Sequence, residues 1–259
     1  GRLEAPESVE VRPRVSGYID KVAFDEGSLV KKGDLLFQID PRPFEAEVKR
    51  LEAQLQQARA AQARSVNEAQ RGERLRASNA ISAELADART TAAQEAKAAV
   101  AATQAQLDAA RLNLSFTRIT APIDGRVSRA EVTAGNLVGV GDPVLTTLVA
   151  QDKVHAWFDV SEQAWLRVRH LFKGNAGPKV EMALADESGF PHAGNVDFVD
   201  NRLNPATGAI RVRAVFDNKE RRFVPGLYAK LRLSGGVASK AVLTPDRAIG
   251  TDQTKRYVF

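Results

Sequence analysis

Two segments of this chain repeat one another at a constant offset of 108 residues, the separation of Gly17 and Gly125. The segment SGYIDKVAFDEGSLVKKGDLL corresponds to DGRVSRAEVTAGNLVGVGDPV, and three glycines coincide in the two copies. These pairs are Gly17 with Gly125, Gly27 with Gly135, and Gly33 with Gly141. Glycine permits the positive φ of tight turns, and the intervening Val, Ile and Leu favour short buried strands. The repeat predicts a small β-sandwich of two similar, interlocking sheets.

The segment between the two copies has a very different composition. From Glu45 to Ser115 it contains no proline, no aromatic residue and a single glycine, Gly72, and alanine is its commonest residue. Such a composition strongly favours helix over about 70 residues. The polar triplet Ser78-Asn79-Ala80 near its middle predicts a turn between two antiparallel helices of about 33 residues, each about 50 Å long. Asp40-Pro41 and Pro43 indicate the start of the first helix, and Ser82 is the expected N-cap of the second.

Residues that recur at alternating spacings of four and three on the first helix predict the seam, the face that packs against the second helix. Their partners on the second helix are the positions at equal distance on the other side of Asn79. The predicted seam residues are Phe44, Val48, Leu51, Leu55, Ala58, Gln62, Ser65, Ala69, Gly72, Ala86, Arg89, Ala93, Ala96, Val100, Thr103, Leu107, Ala110 and Leu114. Large residues occupy the base of this seam and small ones its upper part, which therefore buries little apolar area. We expect such an arm to have neighbours and its tip to contact a partner far from the main body.

From about residue 150 the pattern changes to short strands. KVHAWFDV, KVEMALA, GNVDFVD, AIRVRAVF and LYAKLRLS are typical of strands, and the turn NPATG separates two of them. Ser161 is expected to cap the helix EQAWLRVRHLF, which has one apolar face. This region predicts a small antiparallel barrel with one helix, and Trp157, Phe158, Trp165 and Phe172 are expected in its core.

Composition excludes several functions. The net charge is only +5 with basic residues scattered among 32 acidic ones, so we expect no nucleic-acid partner. The chain has no cysteine, which excludes disulfides and thiolate-bound zinc. The three histidines, His155, His170 and His192, are isolated in sequence, and no nucleophile or phosphate-binding motif stands out. We therefore predict no metal, no cofactor and no catalytic residues.

These motifs resemble the periplasmic adaptors, or membrane fusion proteins, of tripartite efflux pumps of the resistance-nodulation-division (RND) class, in particular Mex-type adaptors. PRVSGYIDKVAFDEGSLVKKGDLLFQIDPRPFEAEV is similar to the first half of the family's lipoyl-like domain, and TRITAPIDGRVSRAEVTAGNLVGVGDPVL to its second half. NPATGAIRVRAVFDN and FVPGLYAKLRL resemble the family's barrel signatures, and AVLTPDRAI its entry into a membrane-proximal domain.

The resemblance implies an elongated α+β chain: a split lipoyl-like β-sandwich with an inserted antiparallel α-helical hairpin, followed by a small antiparallel β-barrel. The implied boundaries are 9–41 with 117–149 for the sandwich, 42–116 for the hairpin, 150–235 for the barrel with residues 1–8 near it, and 236–259 for a truncated membrane-proximal domain. Gly1 in place of an initiator Met, and a strand-like KRYVF at the other end, suggest a fragment of a longer protein. No signal peptide is visible.

The resemblance also implies a site at the hairpin tip. The family's tip carries an Arg, a Leu four residues on and a Ser seven residues after that, which are Arg71, Leu75 and Ser82 here. With Ser78 and Asn79, these residues are expected to contact a TolC-like outer-membrane channel. The other implied partners are an inner-membrane proton-driven RND transporter and further copies of the chain in a ring or tube. The implied location is the periplasm, with the full-length protein attached to the inner membrane, by a lipid anchor outside this sequence where one exists.

Two alternatives stay open, and a third, a lipoate or biotin carrier, is disfavoured. An adaptor of an ABC or major-facilitator exporter has the same lipoyl-and-hairpin plan. A coiled-coil scaffold without a transport role also fits the long hairpin. A lipoate or biotin carrier needs a lysine on a tight turn between the two halves, where this chain has Asp40-Pro41 and the hairpin instead. Lys31 and Lys32 lie within the first half, so the carrier is disfavoured, and an unmodified mass would exclude it.

Overall fold

A computed structural model describes residues 1–172, 177–233, 245, 248–252 and 255–258. The chain forms two compact units. The sandwich unit is Glu7–Ala150, and the barrel unit is Gly1–Pro6 with Gln151–Phe259. No helix in the described part of the chain is both long and apolar enough to cross a membrane.

The sandwich unit contains eight short strands and two long helices. The strands are β2 (Ser8–Val11), β3 (Gly17–Val22), β4 (Leu29–Val30), β5 (Leu35–Ile39), β6 (Arg118–Thr120), β7 (Gly125–Val127), β8 (Leu137–Val138) and β9 (Thr146–Val149). The helices are α1 (Arg42–Ala77) and α2 (Ala83–Phe116). The lipoyl-like sandwich and its inserted hairpin are thereby confirmed as the fold.

The repeat explains how the two sheets of the sandwich interlock. One sheet has the order β2-β9-β7-β4 and the other β6-β5-β3-β8, with every pair antiparallel. The repeat offset relates β2 to β6, β3 to β7, β4 to β8 and β5 to β9, so it converts one sheet order into the other. Each sheet takes two strands from each half, and neither half can complete a sheet alone. The core between them includes fully buried Phe37, Leu36, Ile39, Leu145 and Leu148.

Four of the six repeat glycines are needed for their backbone conformation. Gly27 and Gly135 have φ of +73° and +90°, and Gly33 and Gly141 have φ of +95° and +78°. Residues with a Cβ are strained in this left-handed region. The same turn conformations therefore recur in both halves, as the spacing predicts.

The remaining pair, Gly17 and Gly125, is explained by close approach rather than by φ. A Cβ on Gly17 would lie 2.6 Å from Cγ2 of Ile39, and one on Gly125 would lie 2.5 Å from the carbonyl oxygen of Val149. Neither residue has positive φ. The expectation that all the repeat glycines serve tight turns is therefore wrong for this pair, because here a neighbouring strand occupies the space of a side chain.

The hairpin begins as the sequence indicates. The Asp40 carboxylate accepts hydrogen bonds from the backbone N–H of Arg42 at 3.1 Å and from its guanidinium at 2.7 Å and 2.9 Å. These hydrogen bonds lower the pKa of Asp40, and those from the Arg42 guanidinium have the larger effect. Pro43 lies in the first turn of α1, where the missing N–H of proline has no intrahelical acceptor to lose.

The seam of the hairpin agrees with its predicted positions, since all of those residues are buried or half-buried. Its apolar core lies at the base, where Leu51, Leu55 and Leu107 are the largest buried side chains. Side-chain hydrogen bonds also link the two helices outside this core. Arg111 donates to Glu52 at 2.7 Å, and Arg59 donates to Gln104 at 3.1 Å.

In the described residues of the barrel unit, the larger sheet has six strands. These are β1 (Arg2–Glu4), β10 (Lys153–Ser161), β11 (Lys179–Ala183), β12 (His192–Asn204), β13 (Ala209–Asp217) and β14 (Lys230–Leu233), in the order β1-β10-β13-β12-β11-β14. The first strand also closes the sheet into a barrel. Leu3 donates to the Leu227 carbonyl at 2.8 Å and accepts from the Gly226 N–H at 2.7 Å, and residues 226–229 lead directly into β14.

Helix α3 (Glu162–Val168) follows β10 and ends in a 3-10 turn, Arg169–Phe172. Ser161 occupies its N-cap position, but its side chain makes no capping hydrogen bond. Strands β15 (Ile249–Asp252) and β16 (Lys255–Val258) form a separate two-stranded sheet. The predicted membrane-proximal segment 236–259 lies partly outside the described residues, as do most of AVLTPDRAI and the end of the predicted barrel.

The core prediction for the barrel aromatics is correct for three residues and wrong for Trp157. Phe158, Trp165 and Phe172 pack against the barrel core. Strand β10 buries Val154 and Ala156, so the residues at odd positions face outward. Trp157 accordingly lies on the outer surface, where its ring contacts Phe198, Arg211 and Arg213. The strict alternation of a strand contains this information, although a run of aromatic residues suggests a core.

Candidate partner-contact site at the hairpin tip

Helix α1 ends at the tip in a pair of backbone hydrogen bonds that satisfy its last carbonyl groups. The N–H of Ala80 donates to the Leu75 carbonyl at 2.8 Å, and the N–H of Asn79 donates to the Arg76 carbonyl at 2.9 Å. Asn79 has φ of +58°. This is a Schellman motif with asparagine at its left-handed position, which asparagine tolerates better than most residues. The turn therefore has a defined backbone rather than a loose loop.

Helix α2 starts with the predicted cap. Ser82 is extended, and its Oγ accepts a hydrogen bond from the backbone N–H of Leu85 at 3.3 Å. Between the helix ends, Arg76 pairs with Asp87 at 3.3 Å and links the two helices across the tip. No sequence pattern indicates this ion pair, because only the fold-back of the chain brings the two residues together.

The structure brings the five predicted contact residues together on twelve consecutive positions around the turn. Arg71, Ser78, Asn79 and Ser82 are exposed, whereas Leu75 is half-buried. Within the described residues Arg71 has no ion-pair partner. Ser78 directs its hydroxyl back to the Leu75 carbonyl at 3.0 Å. Arg71 and Asn79 therefore offer free polar groups, while Ser78 and Ser82 are partly engaged in holding the turn.

The two helices approach closely just below the tip. Gly72 is buried, and a Cβ placed there would lie 3.0 Å from Cδ of Arg89 and 3.8 Å from Cα of Ala86. Gly72 and Ala86 are the only buried residues of the seam above Leu55 and Leu107 in the described hairpin. The tip is thus held by backbone caps and close contact of small residues, with little apolar burial.

We predict that Ser82→Ala loosens the start of α2 without disturbing the rest of the hairpin. Loss of an N-cap side chain costs about 1 kcal/mol, so the amide of Leu85 should exchange with solvent about five times faster. Ser82→Asp restores an acceptor and should restore slow exchange. Unchanged exchange in the alanine variant would show that the cap contributes nothing here.

The described residues contain no group of three His, Asp or Glu side chains placed to hold a metal ion. The prediction that all three histidines are isolated is wrong for His192, whose Nε2 lies 2.6 Å from Oε1 of Glu187 and whose ring packs on Phe223. Two hydrogen bonds lower the pKa of Glu187. The larger effect comes from the backbone N–H of Leu184, and the next from the His192 side chain. This pair lies five residues apart along a turn and strand, so a search at metal-ligand spacing does not find it.

Comparisons with known proteins bear on both units. Residues 7–150 match the family described as RND MFP, barrel-sandwich hybrid domain, where MFP denotes membrane fusion protein. Residues 154–237 match the family described as RND MFPs, beta-barrel domain. The first of these matches covers more than half of the chain.

Named relatives agree with this assignment. The efflux pump periplasmic linker BepD of Brucella suis is 34% identical over 267 residues, which cover 100% of this chain and 67% of BepD. The multidrug efflux pump subunit AcrA of Escherichia coli K12 is 34% identical over 256 residues, which cover 96% of this chain and 64% of AcrA. The chain thus spans about two thirds of the length of these relatives.

Among solved structures, a MacA-MexA chimeric protein that contains the Pseudomonas aeruginosa MexA α-hairpin domain is similar in fold. Its TM-score is 0.58 and its identity 28%, over 90% of this chain and 80% of that one. The first matched domain coincides with the sandwich unit, and the second lies within the barrel unit. The chain therefore belongs to the membrane fusion protein family of resistance-nodulation-division efflux pumps.

Proposed function

We propose that the protein is a non-catalytic periplasmic adaptor that links an inner-membrane, proton-driven RND drug exporter to a TolC-like outer-membrane channel. The names of its relatives, a periplasmic linker and a multidrug efflux pump subunit, support this proposal. The observation that carries it is the hairpin, a long insertion whose tip has an ordered backbone and exposed polar side chains. A hairpin with these properties is suited to binding a partner far from the sandwich.

In this proposal the protein has a structural role, which is to span the distance between the exporter and the channel. At 1.5 Å per residue, the 36 residues of α1 extend about 54 Å. The apolar contacts near Leu51 and Leu107 stabilise the base of the hairpin. Its far end is free to bind a partner. Energy for transport would come from the exporter, and the adaptor would span the gap and favour the open channel through its tip.

Each tip residue has a role in this proposal. The guanidinium of Arg71 can donate several hydrogen bonds to carbonyl or carboxylate groups of the channel. Leu75, which is half-buried in the free chain, would complete its burial in a groove between channel helices. Ser78, Asn79 and Ser82 would form the polar rim of the contact.

Self-association is part of the proposal. The upper seam of the hairpin buries little apolar area, and Leu85 and Leu112 on α2 are 44% and 54% exposed. Neighbouring copies packed side by side in a ring or tube would cover such surfaces. We place this assembly in the periplasm, with the full-length protein attached to the inner membrane.

Single-cysteine cross-linking tests the tip contact directly, because the chain has no cysteine of its own. Asn79→Cys should cross-link to the outer-membrane channel in intact cells. Arg221→Cys is a matched control, since Arg221 is also exposed and has a similar φ of +55° but belongs to the barrel unit. Equal cross-linking of both variants to the channel, or none from Asn79→Cys, would contradict the tip contact.

The transport role is tested by replacing Ala60–Ala98 with a short Gly-Ser linker, which removes the upper hairpin and keeps its apolar base. Drug susceptibility should rise to that of cells lacking the adaptor. Unchanged resistance would favour a scaffold without a transport role. The transporter that co-purifies with the chain distinguishes an RND exporter from an ABC or major-facilitator exporter, and the RND family assignment favours the first.

A further inference from the structure

A cavity of about 380 Å³ lies within the sandwich unit, away from the hairpin tip. Its walls come from strand β2 and the residues after it, from strand β6, and from the last turn of α2. Both β2 and β6 are edge strands of their sheets. The cavity therefore lies where the two sheets meet without a shared hydrogen-bond ladder. We call it the edge cavity.

The repeat explains why a space exists at this position. Four lining residues of the first half, Glu10, Val11, Arg12 and Arg14, are related by the 108-residue offset to four lining residues of the second half. Those are Arg118, Ile119, Thr120 and Pro122. The edge cavity is thus lined by equivalent positions from the two halves, on the axis that relates them.

One buried apolar pair of this lining repeats in the two halves, whereas its charged residues do not. Val11 and Ile119 are equivalent residues, and both are buried in the sandwich core. The fold needs them in both halves. By contrast, Arg14 corresponds to Pro122 and Arg118 to Glu10. The sandwich is built in the other half without these arginines, so its folding does not explain their presence.

The charges around the edge cavity are unbalanced. Arg12 is neutralised by Glu10, with Nη2 of Arg12 2.9 Å from Oε2 of Glu10, and it also donates to the Gly141 carbonyl at 2.7 Å. Arg14 lies over the Phe116 ring at 5.2 Å, and both residues line the cavity. Neither Arg14 nor Arg118 has an acidic partner among the described residues. Two arginines without an acidic partner in the described chain therefore line a small space that also has apolar residues in its walls.

We propose that the edge cavity binds a small organic anion that has an apolar body, such as a medium-chain carboxylate. The carboxylate would accept hydrogen bonds from Arg14 and Arg118, whose planar guanidinium groups suit this geometry. The body would lie against Phe116 and Ile119. The volume lies within the range of small-molecule sites, which combine apolar walls with a few placed polar groups. This inference does not depend on the proposed adaptor function.

A pair of amphiphiles with the same chain and opposite charge tests the proposal on the whole 259-residue chain. Decanoate should bind with at least about tenfold higher affinity than decyltrimethylammonium, measured by calorimetry below micelle-forming concentrations. Inorganic phosphate, which lacks the apolar body, should bind much more weakly than decanoate. Backbone amide shifts caused by decanoate should centre on Phe116 and Ile119.

Substitutions test whether the two arginines are responsible for decanoate binding. Arg14→Gln combined with Arg118→Gln should weaken decanoate binding by about tenfold or more, whereas Arg64→Gln, an exposed arginine of α1, should not change it. Thermal unfolding should be unaffected, because all three side chains are exposed. The single variant Arg118→Gln provides the same comparison if the double variant is less stable.

Four results would each overturn the proposal. These are equal affinity for the two amphiphiles, no decanoate binding in the millimolar range, amide shifts that map elsewhere, and full binding by the arginine variants. Preferential binding of an acidic peptide that leaves decanoate unbound would likewise reject a small-anion site and indicate a protein contact instead.

Discussion

Replacing Arg71 with aspartate is expected to weaken docking of the hairpin onto an outer-membrane channel by about tenfold or more, with no change in the unfolding temperature. The exposed guanidinium has no ion-pair partner in the described chain, so its removal leaves no buried group unsatisfied. Its hydrogen bonds to a channel carboxylate or carbonyl would be lost and replaced by repulsion. A charged hydrogen bond contributes about 1.5–3 kcal/mol, which sets the size of the effect.

The measurement is the affinity of the chain for the purified channel, with drug susceptibility of cells as a second readout. Arg64→Asp is the matched control, because Arg64 is also exposed and lies two helical turns before Arg71 on α1. Leu75→Ser should also weaken docking, with a small stability cost because Leu75 is only half-buried. Unchanged channel affinity in Arg71→Asp, or a loss accompanied by hairpin unfolding, would contradict the assigned role.

Replacing Phe37 with alanine is expected to lower the free energy of unfolding of the sandwich unit by about 3–5 kcal/mol. Phe37 is fully buried in strand β5, where its ring makes an edge-to-face contact with Phe24 at 5.3 Å. Its removal would leave a cavity between the two interlocked sheets. Because each sheet depends on strands from both halves, this cavity would weaken the whole sandwich and the support of the hairpin.

Hydrogen exchange of the β3 and β5 amides measures this loss within the sandwich itself. Tyr18→Ala is the control, since Tyr18 is 59% exposed on the neighbouring strand β3 and its replacement should change stability by no more than about 0.5 kcal/mol. Both tryptophans, Trp157 and Trp165, lie in the barrel unit, so their fluorescence reports on that unit separately. A loss below about 1 kcal/mol for Phe37→Ala would contradict the central role of this core.

Prediction from sequence was most successful where the signal is periodic. The repeated glycines predicted the paired sheets, and the helical spacing predicted both the hairpin and its seam, because each pattern reflects a local conformation that repeats along the chain. The Ser82 cap was predicted for the same reason. The tip residues themselves were named through the family resemblance, and their contact with a channel stays a prediction.

Prediction failed where a residue's environment depends on distant parts of the chain. Trp157 was expected in the core because it is aromatic, yet the register of β10 turns it outward. His192 was expected to be isolated, although a turn brings Glu187 to it. Gly17 and Gly125 were expected at turns, but the nearness of Ile39 and Val149 is what excludes a side chain there.

The order of amino acids is enough to specify the units of this protein: a duplicated strand pattern, a long helical insertion that folds back at Ser78-Asn79-Ala80, and a run of strands for a barrel. Local backbone preference and side-chain periodicity are sufficient for these features. Three features become visible only in the folded chain: each sheet contains strands of both halves, β1 closes the barrel, and Arg14 and Arg118 line the same cavity. These features arise from packing between residues far apart in the chain, and sequence spacing carries no measure of those distances.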